Sequence, residues 1–166
     1  MTGVSVVRGI ALLAAAAWIA VGPARAEGAG RRSVRVDGFE IVAGPRVHPA
    51  ALAEAAFWVK RMLAARPDAR RAMVSSGTRM RILGVDEFTC DAAEFAWLGQ
   101  GPDIDGVSAK DWWDARARGT GGSATDPWCS VGEENLLGYP GDPYAKESIL
   151  LHEFAHAVHL RGMNVV

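Results

Sequence analysis

Residues 146–163 read KESILLHEFAHAVHLRGM, and the fold is decided by how this stretch is read. Its pattern is that of one helix. Ile149, Leu150, Leu151, Phe154, Ala155, Val158 and Leu160 fall almost all round the circumference, as in a helix buried inside a protein. The same apolar rod carries His152, Glu153 and His156. At about 100° per residue, the two histidines lie about 40° apart and one turn apart in height. Both imidazoles therefore reach one ion, and Glu153 sits at the edge of the same face.

This is the spacing H-E-x-x-H. Neutral imidazole nitrogens bind Zn²⁺ at about 2.0–2.1 Å, and a catalytic site keeps one position for water. The ion lowers the pKa of that water towards about 7 and polarises a carbonyl. Glu153 is placed to accept the water's proton as general base. Without a metal, a Glu beside two His on a buried helix would need other partners at considerable cost. The pentad fixes only three positions, so its apolar helical context, with small Ala155 beside the ion, is what makes it specific.

Upstream, residues 127–144 (PWCSVGEENLLGYPGDPY) are turn-rich and deliver the chain to the helix. Asp142 suits an N-cap and Pro143 a first turn. Glu133 and Glu134 read either as partners that orient the histidines or as solvated loop carboxylates. Trp112 and Trp113 either line a cleft or form a core anchor with a surface lid. Residues 120–123 (TGGS) read as a flexible link.

Further back, residues 33–43 (SVRVDGFEIVA) alternate as a strand with a turn at Asp37-Gly38. Residues 49–65 form a helix with Pro49 in its first turn and an apolar stripe of Leu52, Ala56, Val59 and Leu63. Asp68 can cap a second helix over 69–75. Residues 79–85 (RMRILGV) form another strand.

Residues 1–26 are expected to be a signal peptide: Arg8, an apolar run over 10–21, and an A-x-A site at Ala24-Arg25-Ala26. The mature chain then starts at Glu27, in a secreted or periplasmic setting, with no stable membrane insertion after cleavage. In that oxidising setting Cys90 and Cys129 are expected to form a disulfide, which would stabilise the fold by roughly 3–4 kcal/mol. The alternative is Cys129 as a metal ligand. The 166-residue chain has 18 basic and 19 acidic residues and no basic stripe, which argues against nucleic acid as a partner.

Two histidines do not complete a zinc site, which needs a third protein ligand. His159 lies on the same helical face as His152 but about 10.5 Å further along the axis, too far to share the ion. His152-Glu153-Phe154-Ala155-His156 resembles the active-site helix of the zincin metallopeptidases. The longer run ENLLGYPGDPYAKESILLHEFAHAVH resembles secreted zincin-like proteins, nearer the gluzincin and anthrax lethal-factor-like branch. The metzincin pattern fails, with His159 where it needs Gly and Gly162 where it needs His.

The resemblance implies an α+β, zincin-like fold over residues 27–166. A small twisted sheet would pack with helices around a buried H-E-x-x-H helix. It also implies a peptide or protein substrate and Zn²⁺ held by His152 and His156. The strand over 79–85 would be either the sheet edge that binds substrate or a buried core strand. In gluzincins the third ligand is a Glu on a later helix, so the sequence is expected to be incomplete at its C-terminus. A deformylase-like site using Cys129 stays open, as does a degenerate zincin acting as a binding module. His159, Tyr139 and Tyr144 are candidate oxyanion stabilisers.

Overall fold

The computed structural model describes residues 30–163, so the expected signal peptide over residues 1–26 lies outside it. The alternating segment after residue 30 folds into a hairpin. Strands β1 (Arg32–Val36) and β2 (Phe39–Ala43) pair antiparallel. Asp37 and Gly38 make the turn at φ 48° and 93°. Both central residues are left-handed, as a two-residue type I′ hairpin requires.

Helix α1 (Pro49–Leu63) starts at Pro49 as the sequence implies, and the His48 ring accepts the Ala50 N–H at its N-cap. Helix α2 (Pro67–Ser75) starts two residues earlier than expected. Pro67 opens it, and Asp68 lies in its first turn, paired with Arg66, instead of capping it. The two helices return the chain so that β3 (Arg79–Leu83) lies parallel to β2. Strand β5 (Trp128–Gly132) pairs parallel with β3 on its other side, and β4 (Gly119–Thr120) pairs antiparallel with β5.

The sheet order is β1-β2-β3-β5-β4. Strand β3 is therefore central, and the edge-strand reading of residues 79–85 is corrected. Among the described residues, β4 is the edge on that side.

The faces of the sheet follow the period of two along each strand. Val34, Phe39, Ile41, Met80, Ile82, Cys129 and Val131 point into the main core, which α1 and α5 (Ile149–Ala157) cover. Leu83 and Trp128 belong to the opposite face, where Ala92, Phe95 and Leu98 pack on them. That second layer is built from two 3-10 turns, Thr89–Asp91 and Ala96–Gln100, followed by α3 (Ala109–Arg116). A short helix, α4 (Glu133–Leu137), leads from β5 towards α5.

The layering corrects the cysteine reading. Cys129 sits under the helices and Cys90 in the layer on the far side of the sheet; both are buried and free. Sheet layers stand about 10 Å apart, beyond the Cα separation of roughly 4.4–6.8 Å that a disulfide spans.

Helix α5 is also shorter and less enclosed than its sequence implies. Ser148 caps it, its hydroxyl accepting the Leu151 N–H. Asp142 instead accepts from Asn135 and the Tyr144 amide within the preceding loop. Ile149, Leu150, Phe154 and Ala157 are buried, while His152, Ala155 and His156 are exposed. The sheet and α1 cover one side only. Beyond Ala157 the helix widens into a π turn, Val158–Met163.

Candidate metal centre

Packing sets which side of α5 faces outward. The Phe154 ring meets Phe39 edge-on at 5.3 Å, and Leu150 and Ala157 sink into the same core. That anchor leaves His152 and His156, one turn apart, on the open side. Their Nε2 atoms are 3.3 Å apart. Two nitrogens bound tetrahedrally at about 2.05 Å to one ion lie about 3.3 Å apart, so the spacing matches that of two ligands on one cation.

Glu153 completes the group. Its carboxylate and the two imidazoles lie within 4.8 Å of one another, a cluster that could hold a metal ion. Glu153 is half-buried. Burial raises its carboxyl above the ordinary value, and the two imidazoles act in the opposite direction.

What shields Glu153 is β4 and the turn after it. A Cβ on Gly121 would stand 2.5 Å from the Cβ of His156 and 3.1 Å from Glu153 Oε2. A Cβ on Gly119 would stand 2.9 Å from Glu153 Cγ. These two glycines let an edge strand lie directly against the metal-binding helix. Composition alone makes residues 120–123 a flexible link and hides this role. The signal that could have found it is Gly at 119 and 121, two apart and hence on one face of a strand.

Beside this edge opens a cleft of about 590 Å³ that Glu153, Trp113 and Trp97 line. Trp113 is therefore neither a core anchor nor a lid, since it helps wall the cavity. Trp112 packs edge-on against it at 5.2 Å and lies under the Arg116 guanidinium. A smaller cavity of about 150 Å³ holds His152, Glu153 and Tyr144 together. The Tyr144 hydroxyl donates to the Arg116 carbonyl at 2.5 Å. Tyr139 lies elsewhere, its hydroxyl donating to Glu133.

Other expected participants stand apart. His159 is exposed on the π turn and outside the metal group. The regular α spacing behind its predicted position ends at Val158. Cys129 is also outside the group: its thiol donates to the Arg79 carbonyl at 3.4 Å, and burial raises its pKa. That position argues against the deformylase-like ligand set.

Glu133 and Glu134 are neither solvated nor in hydrogen bonds with the histidines. Both are buried; Glu133 accepts the His48 amide at 2.7 Å, and Glu134 takes both prongs of Arg118 at 2.6 and 2.9 Å. These carboxylates of the first turn of α4 are buried because partners compensate them. Among the described residues no fourth His, Cys, Asp or Glu atom joins the cluster. No helix of the described residues is long and apolar enough to cross a membrane. No protein family, curated protein or solved structure matches the chain.

Proposed function

We propose that the chain is a zinc-dependent peptidase with a zincin-like fold, exported through its N-terminal segment and acting outside the cytoplasm. The observation that carries the reading is the 3.3 Å spacing of two imidazole nitrogens on one helix, with a half-buried carboxylate between them and a sheet edge. Imidazole donors suit zinc among the common divalent ions. This reading takes the third protein ligand from outside the described residues.

His152 and His156 hold the cation in this scheme. When bound, it supplies Lewis acidity, polarising a carbonyl and acidifying water. Glu153 takes the proton of the attacking water and delivers it to the leaving amine. The β4 edge and residues 121–123 align an extended peptide by strand addition. Tyr144 shares a cavity with His152 and Glu153, and its hydroxyl would have to leave the Arg116 carbonyl to act as an oxyanion donor.

Glu153→Gln tests the scheme. The variant should keep stoichiometric zinc by elemental analysis yet lose peptide hydrolysis, whereas His152→Ala should lose the zinc. Undiminished hydrolysis in Glu153→Gln would remove Glu153 from the mechanism. The second reading is a binding module with a relic motif. It draws support from the exposure of both histidines and from the two-imidazole donor set among the described residues. A protein that takes up no stoichiometric zinc would favour it.

A further inference from the structure

The cleft beside the metal centre has a composition that selects its occupant. Phe95, Trp97, Leu98, Ile104 and Trp113 contribute its apolar walls. Trp97 is 55% exposed, a large aromatic surface left open at a cavity. Ligand clefts are predominantly lined by apolar and aromatic side chains. The charged groups in the lining are Glu153 and Asp126; no Lys, Arg or His is among them. Asp126 is engaged in its own turn, its Oδ1 accepting the Trp128 amide at 3.0 Å. The lining residues offer an anionic side chain two carboxylates and no basic partner.

Resting on the peptidase reading, we propose that this cleft receives an uncharged aromatic side chain of the substrate, next to the scissile bond. Continuity places it. Glu153 lines both the cleft and the metal group, and residues 119–123 of the sheet edge line the cleft too. A peptide aligned on that edge with its carbonyl at Glu153 has an adjacent side chain within reach of the two indoles. The volume of about 590 Å³ exceeds one side chain and takes an aromatic ring with flanking backbone. Aromatic rings pack there edge-on or offset against Trp97 and Trp113, adding to the area they bury.

The test measures binding apart from hydrolysis. The full chain, stripped of metal with a chelator, is titrated with capped heptapeptides carrying a single central Phe, Ala or Glu, and tryptophan fluorescence is followed. The Phe peptide should bind at least about tenfold tighter than the Ala peptide, and the Glu peptide weakest. Trp113→Leu and Trp97→Ala should each erase most of the Phe preference. If Trp113→Leu loses its circular dichroism spectrum, Trp97→Ala carries the test, since that indole is mostly exposed. Equal binding of Phe and Ala peptides overturns the proposal, as does a preference that survives the tryptophan substitutions. Aromatic-selective binding without hydrolysis in the zinc-loaded chain would support the cleft and sink the peptidase reading. Hydrolysis without aromatic preference would do the reverse.

Discussion

Gly121→Ala should damage the metal centre from the strand side. The new Cβ would stand 2.5 Å from the Cβ of His156 and 3.1 Å from its Cγ. The His156 Cβ cannot swing away, because it is fixed by the α5 backbone. Either β4 or the helix has to move. Overpacking of this kind costs about 1–3 kcal/mol. In a domain of this size each kcal/mol moves Tm by about 4 °C, so a fall of about 4–12 °C is expected. Gly101→Ala is the control. Gly101 has φ −71° and ψ 174°, and its Cβ would meet nothing closer than 3.6 Å. That change should be neutral or stabilise by up to about 1 kcal/mol. Urea unfolding of the metal-free protein measures both, and a zinc titration should show weaker uptake in Gly121→Ala, because the displaced His156 ring is a proposed ligand. Equal stability of Gly121→Ala and wild type would refute the close approach of β4 to α5, and with it the shielding of Glu153.

Arg161 is a second test of that region. Its guanidinium is buried on the π turn and donates to Thr78 Oγ1, Ser76 O, Ser123 O and Ala124 O. Thr78 is the buried acceptor among these, and a bare buried acceptor costs about 1–3 kcal/mol, so Arg161→Met should cost about that much; a urea midpoint unchanged from wild type would contradict these bonds. For pH, Asp114 is the group to follow. Burial raises its carboxyl, but Lys110 and the Cys90 amide outweigh this and hold it below its ordinary value. A depressed carboxyl contributes stability above its unfolded pKa, and loses it as pH falls through the folded one. Asp114→Asn should therefore destabilise the protein at pH 7 and match wild type once the pH is below the folded value; an equal deficit at both would exclude the linkage. The thiol reading is checked by counting. The denatured, unreduced protein should show two reactive thiols, and in the native protein Cys90, pushed up to about 11 by burial and by Asp114, should label slowly at pH 8. No thiols on denaturation would restore the disulfide.

The sequence by itself determined the local geometry of this protein. His152 and His156 meet because i and i+4 share a face of any α-helix, and Asp37-Gly38 turns because those residues tolerate left-handed backbone. Neither outcome waits on distant contacts. The tertiary structure alone decided which side of α5 is covered, and hence that Ala155 faces out while Phe154 is buried. It placed β3 in the middle of the sheet and β4 at its edge, because strand order follows from how α1 and α2 carry the chain back over the sheet. It put Cys90 and Cys129 on opposite faces, and it brought Gly119, Gly121 and Trp113 to Glu153 from 30 to 40 positions away in sequence, roughly. Such pairings depend on long-range packing, which no short-range periodicity records.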